Sequence, residues 1–129
     1  MRAATKAALP VPAEHEEQKA LIKWFAMQYP KIGNRLVAVP NGGDRDPRVG
    51  KKLKAEGVRS GFPDLMLLIP RGAFMGLIIE MKRVKGSKLE PEQAEWLDWL
   101  NTQGFMAVIC KGAQAARDTI KSYLGEGAL

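Results

Sequence analysis

Gly61-Phe62-Pro63-Asp64-Leu65-Met66-Leu67-Leu68-Ile69 and, shortly after it, Gly76-Leu77-Ile78-Ile79-Glu80-Met81-Lys82 decide the fold of this chain. Each is an apolar run of strand length bounded by turn residues, and each carries an acid at one end. Pro70-Arg71-Gly72 lies between them, so residues 64–69 and 74–82 read as two strands of an antiparallel hairpin. An acid at the end of an apolar run is costly to bury unless a cation compensates it. Asp64 and Glu80 are 16 residues apart, the length of a strand, a turn and a second strand, so the hairpin returns Glu80 beside Asp64. Side chains alternate along a strand, which puts Glu80 and Lys82 on one face and Met81 on the other. Two carboxylates with an ammonium beside them form a candidate divalent-metal site, the equipment for hydrolysing a phosphodiester. Taken singly, the same residues have plainer readings: a turn aspartate after proline, and a surface Glu-x-Lys pair. The spacing is what joins them.

Outward from the hairpin, Ala13 to Tyr29 predicts a helix with Leu21, Trp24, Phe25 and Gln28 on one face and Pro30 as the stop. Arg35 to Val39 is a short strand, and Asn41-Gly42-Gly43-Asp44 a loop. Asp46-Pro47 is an N-cap with proline at the first helical position, followed by a helix over Arg48 to Glu56 that ends at Gly57. Lys85 to Lys88 is a basic loop. Glu90-Pro91 opens a helix to about Gln103, with Gly104 past its end. Phe105 to Cys110 is a strand and Ala113 to Tyr123 a last helix. The order α-β-α-β-β-α-β-α describes an α/β chain with a small mixed sheet flanked by helices. Residues 1–12 read as a flexible tail and 13–129 as a single domain, with no repeat and no internal linker.

A third acid can come from the first helix. At roughly 100° per residue, Leu21 and Phe25 define the buried face. Glu14 falls near the middle of that face, Glu17 toward one edge, and Glu16 points away. Acids in a first helical turn also complement the helix dipole, a role that suits Glu16 fully. Gln93 heads the apolar stripe Trp96, Leu97 and Leu100, and a buried amide needs partners. Capping local backbone and reaching a metal ligand or phosphate are both open to it. His15, the only histidine, is flanked by acids and reads as solvated. Gly42, Gly43 and Gly50 make no phosphate-binding Walker loop, because no Gly-Lys-Ser/Thr follows.

Composition narrows the classes. The chain has 129 residues, 46% hydrophobic and 26% charged, values of an ordinary globular protein. A net charge of +6 favours a polyanionic partner. Lys31, Lys51, Lys52, Lys54, Arg59, Arg83, Lys85 and Lys88 are either solubilising surface or, since many flank the acidic centre in sequence, the bed of a nucleic-acid backbone. The single Cys110 excludes an internal disulfide and a multi-cysteine zinc site, and its apolar surroundings place it in the core. No apolar stretch reaches membrane-spanning length, and residues 1–12 do not read as a signal peptide, so a cytoplasmic location is expected.

Together, Glu14-His15-Glu16-Glu17-Gln18, Asn41-Gly42-Gly43, Gly61-Phe62-Pro63-Asp64, Gly76-Leu77-Ile78-Ile79-Glu80-Met81-Lys82 and Glu90-Pro91-Glu92-Gln93 resemble the PD-(D/E)xK nuclease superfamily, and within it the VRR-NUC family of small phage and bacterial nucleases. The resemblance implies a restriction-endonuclease-like fold. It implies a magnesium or manganese site from Asp64, Glu80 and the carbonyl of Met81, with Lys82 as catalytic lysine. It implies Glu14 as the helix acid, as metal ligand or water-positioning group, although Glu17 stays open, and it places Gln93 in the site. Asn41, Arg45, Lys51, Lys52, Lys85 and Lys88 are the expected nucleic-acid contacts. The implied activity is metal-dependent DNA endonuclease cleavage, on branched DNA such as Holliday junctions, by a homodimer in a bacterial or phage-infected cell. The rivals are a catalytically inactive DNA-binding protein of the same fold and a nicking or restriction-type nuclease.

Overall fold

The computed structural model describes residues 10–40 and 46–125. Residues 1–9 of the expected tail, the expected loop 41–44 and Arg45 lie outside the described residues. The elements are α1 (Glu14–Gln28), a short 3-10 turn (Pro30–Ile32), β1 (Leu36–Ala38), α2 (Pro47–Ala55), β2 (Leu65–Leu67), β3 (Leu77–Lys82), α3 (Pro91–Thr102), β4 (Met106–Lys111) and α4 (Ala113–Leu124). Their order is the one the sequence predicts.

The hairpin differs in detail. β2 and β3 pair antiparallel, Leu65 with Ile79 and Leu67 with Leu77, but their connection is longer than the expected Pro70-Arg71-Gly72 turn. Arg71 and Phe74 exchange backbone hydrogen bonds of 3.0 and 2.8 Å, so the tight turn sits at Gly72-Ala73 and forms a small bridge of its own. Gly72 has φ +55°, the left-handed backbone that a two-residue hairpin loop requires at its first position. The bridge uses up the residues that a longer β2 and β3 would have taken.

The sheet order is β1-β2-β3-β4. β1, β2 and β3 form an antiparallel meander, whereas β3 and β4 run parallel, with α3 as the crossover that a parallel pair demands. β3 is central and buried along its whole length, which is why it reads as a near-continuous apolar run. Its alternation serves two layers. Leu77, Ile79 and Met81 join Leu21 and Phe25 of α1 and Ala116 and Ile120 of α4 in one core. Ile78 faces the other way, onto Leu97 and Leu100 of α3 and Ala107 of β4. Burying a side chain such as Leu21 or Phe25 stabilises by about 1.5–3 kcal/mol, so α1 is pinned by its middle. Trp24 is only partly buried and Gln28 is exposed, so the apolar face of α1 is narrower than its sequence suggests. Cys110 is buried in the core, as expected.

Gly61 fixes how the segment before β2 meets α3. Its φ is +81°, and a Cβ there would stand 2.7 Å from Glu92 Cγ and 2.8 Å from the Glu92 backbone carbon. Gly61→Ala is therefore expected to cost about 1–3 kcal/mol of stability, measured by urea unfolding, and to displace Asp64 from its site.

Candidate active site

Extending the β2–β3 register by one residue sets Asp64 opposite Glu80, since Leu65 pairs with Ile79. Asp64 lies just outside β2, held by its carbonyl, which accepts from the Val39 N–H at 2.8 Å. Its Oδ2 accepts from the Met81 N–H at 2.7 Å, so the carboxylate lies against the end of β3. Glu80 is 3% exposed and Lys82 6%. They share the α3 face, with Lys82 Nζ 3.6 Å from Glu80 Oε2.

The first residues of α1 complete the cluster. Carboxylate oxygens of Glu14, Asp64 and Glu80 lie within 4.8 Å of one another. Glu17 turns elsewhere: its Oε1 accepts from the Ala113 N–H at 3.2 Å, at the start of α4. Glu16 and His15 are exposed and pair with each other at 3.0 Å. The geometry thus gathers Glu14, not Glu17, with the two hairpin acids. The helical-face argument ordered the three acids but could not foresee that the α4 N-terminus would engage Glu17.

Gln93 caps local backbone and at the same time reaches Glu80. Its Oε1 accepts from the Glu90 N–H at 2.9 Å, capping α3. The same oxygen accepts from Lys82 Nζ at 2.8 Å, while its Nε2 donates to Glu80 Oε2 at 3.2 Å. One amide therefore ties the helix start to both charged groups and fixes the ammonium. Among the expected nucleic-acid contacts, Lys51 and Lys52 are exposed on α2. Lys85 and Lys88 are exposed on the β3–α3 loop, which is ordered by a 3.0 Å bond from the Arg83 N–H to Ser87 Oγ. Asn41 and Arg45 lie outside the described residues. Sequence reasoning gave Arg83 no structural task, yet its Nη2 donates to the Val11 carbonyl at 3.3 Å, tying the lead-in of α1 to the end of β3. No local pattern announces that link, because it spans most of the distance from the first helix to the third strand.

The electrostatics test whether a metal suits the site. Three carboxylates and one ammonium carry a net charge of −2 (−3 + 1) when all are ionised. Burial, with the neighbouring Asp64 charge, pushes the Glu80 carboxyl up to about 8. Burial also raises Asp64, opposed by its bond from Met81 and reinforced by Glu14. A divalent cation supplies the compensation these acids lack, and an all-oxygen donor set suits a hard ion. The residues fit such a group.

The raised Glu80 carboxyl has a consequence for stability. Between pH 4.5 and about 8 the folded protein holds a proton that the unfolded chain has released. Stability of the metal-free protein therefore falls as pH rises through this window. Thermal unfolding in chelator should show a lower midpoint at pH 8.5 than at pH 5.5, and Glu80→Gln should flatten the dependence.

The VRR-NUC domain model matches residues 13–114. A solved VRR-NUC domain protein shares 31% sequence identity, with 90% of this chain and 91% of that chain covered, at a TM-score of 0.79. The curated proteins contain no significant match. With the family match spanning both the first helix acids and the hairpin, the chain belongs to the VRR-NUC domain family and has a nuclease-type function.

Proposed function

We propose that the chain is a magnesium- or manganese-dependent DNA endonuclease. The observation that carries this is the cluster of Glu14, Asp64 and Glu80 with the Lys82 ammonium against it. Asp64, Glu80 and the Met81 carbonyl would hold the metal, with Glu14 as a further ligand or as the residue that positions water. A bound divalent cation supplies Lewis acidity, which polarises the scissile phosphate and acidifies water. Lys82, held by Gln93, presents a fixed ammonium to the negative charge that develops on the phosphate, and orients the attacking water. Such a preset charge needs no reorganisation during the reaction. Glu14→Gln is expected to cost far more cleavage than Glu16→Gln or Glu17→Gln, compared in one assay. Equal losses at positions 14 and 16 would count against the cluster.

The substrate is proposed to be branched DNA, cut by a symmetric homodimer in the cytoplasm of a bacterial or phage-infected cell. Resolving a four-way junction takes two cuts, which a two-fold dimer supplies through one isologous interface. The support in this chain is Trp99, exposed on α3 and stacked edge-on against Trp96 at 5.9 Å, with Phe62 against Trp96 at 4.9 Å. The test incubates purified protein with linear, flapped and four-way DNA in magnesium, manganese or chelator, with sedimentation alongside. Metal-dependent cutting that prefers the four-way substrate is expected. No cutting in either metal would favour an inactive DNA-binding protein, equal cutting of all substrates would remove the junction preference, and a monomer at micromolar concentration would remove the dimer. Binding should also weaken steeply with salt. Replacing Lys51, Lys52, Lys85 and Lys88 should flatten that dependence by up to about 0.9 for each phosphate no longer neutralised.

A further inference from the structure

On the strength of the nuclease reading above, we infer that Lys111 is a phosphate-contacting residue that seats the DNA strand beside the scissile bond. β3 and β4 run parallel, with Lys82 and Lys111 as Cα partners. Paired residues of adjacent strands present their side chains to one face. The alternation confirms which face. Met81 and its partner Cys110 lie in the core under α1 and α4, and Ile78 and its partner Ala107 lie in the core under α3. Lys111 therefore emerges on the α3 side, next to Lys82.

The two lysines differ in surroundings. Lys82 is buried and engaged by Glu80 and Gln93. Lys111 is exposed, and its ammonium has no ion-pair or hydrogen-bond partner among the described residues. Ile109, the partner of Glu80, is exposed as well, so α3 leaves the last residues of β4 uncovered beside the site. Like charges directly opposite on neighbouring strands are unfavourable. A cation retained in that position, without an acid of its own, suits an anion that arrives from outside. A strand laid over Ile109 would bring one phosphate to Lys82 and a neighbouring one to Lys111. Lysine also guards exposed sheet edges, and β4 is an edge strand. A guard of that kind would change self-association and leave DNA affinity untouched.

The experiment measures affinity for a fluorescein-labelled duplex and four-way junction in calcium or chelator, across a range of salt, together with single-turnover cleavage in magnesium. Lys111→Ala is expected to weaken binding several-fold and to lower the salt slope by about 0.9. Lys111→Glu should do more, and Lys111→Arg should restore the slope. Half-saturating DNA concentration should rise more than the rate at saturation falls. Lys23→Ala, exposed on α1 and turned to the opposite side of that helix from Glu14, is the charge-matched control and should keep the wild-type slope. Circular dichroism checks that each variant is folded. A wild-type slope in both Lys111→Ala and Lys111→Glu, with the wild-type protein binding and cutting DNA, overturns the role of Lys111 and leaves the nuclease standing. A wild-type protein that neither binds nor cuts DNA overturns both.

Discussion

Asp64→Asn and Glu80→Gln are each expected to lose DNA cleavage by about 10³-fold or more while remaining folded. Each replaces a carboxylate of the cluster by an amide of nearly the same shape, so packing around β2 and β3 is kept. What is lost, on the proposed mechanism, is charge that would hold the cation, and Lewis-acid stabilisation of a phosphoryl transition state is worth several kcal/mol, tenfold for about each 1.4 kcal/mol. Stability should move the opposite way. The Glu80 carboxyl is pushed up to about 8 by burial, so above that pH a neutral glutamine spares the metal-free protein a buried charge. DNA affinity in chelator should be kept or improved, because repulsion between the cluster and phosphate falls. Single-turnover cleavage, thermal unfolding and anisotropy on the same preparations check the three parts. A wild-type cleavage rate in either variant would remove these acids from the active site.

Lys82→Ala should lower cleavage by roughly 10²–10³-fold, the usual worth of a positioned charge stabiliser or proton-transfer group, while metal still binds. The ammonium is 2.8 Å from Gln93 Oε1 and 3.6 Å from Glu80 Oε2, so its removal leaves a hole beside an acid already hard to ionise. The Glu80 carboxyl should rise further, since Lys82 is what lowers it. The pH–rate profile of any residual activity should shift alkaline. Gln93→Ala is the companion variant. It keeps both charges but releases Lys82 and uncaps α3, and should fall between wild type and Lys82→Ala in rate. Near-wild-type cleavage by Lys82→Ala would reduce this lysine to an ion-pair partner of Glu80.

Most of the architecture was legible because its signals are local. Proline and glycine punctuate the helices, as at Asp46-Pro47 and Gly104, and the apolar runs of β2 and β3 have strand length. The hairpin spacing was enough to set Asp64 beside Glu80, since an antiparallel register follows from the chain reversal itself. Side-chain alternation was enough to pair Glu80 with Lys82. What stayed hidden depends on contacts between elements distant in sequence. The parallel register that sets Lys111 beside Lys82 passes through the whole of α3. The engagement of Glu17 by the Ala113 N–H joins the first helix to the last, a contact that helical rotation alone does not foretell. The dual bonding of Gln93 was foreseeable as two alternatives but not as a sum, because one amide between the α3 N-terminus and β3 caps the helix with its oxygen and donates to Glu80 with its nitrogen. The small Arg71–Phe74 bridge was missed because Pro70 drew the turn too early.

Calorimetric titration of manganese into the purified protein at pH 8, run beside Asp64→Asn and Glu80→Gln, tests the central claim most directly. The claim is that Asp64 and Glu80, with the Met81 carbonyl, hold a divalent cation. Wild type should bind manganese saturably, with affinity that falls as pH drops below about 8 and protons compete for Glu80. Both variants should bind much more weakly. Wild-type affinity in both variants, or no saturable binding to wild type at any pH, would contradict it.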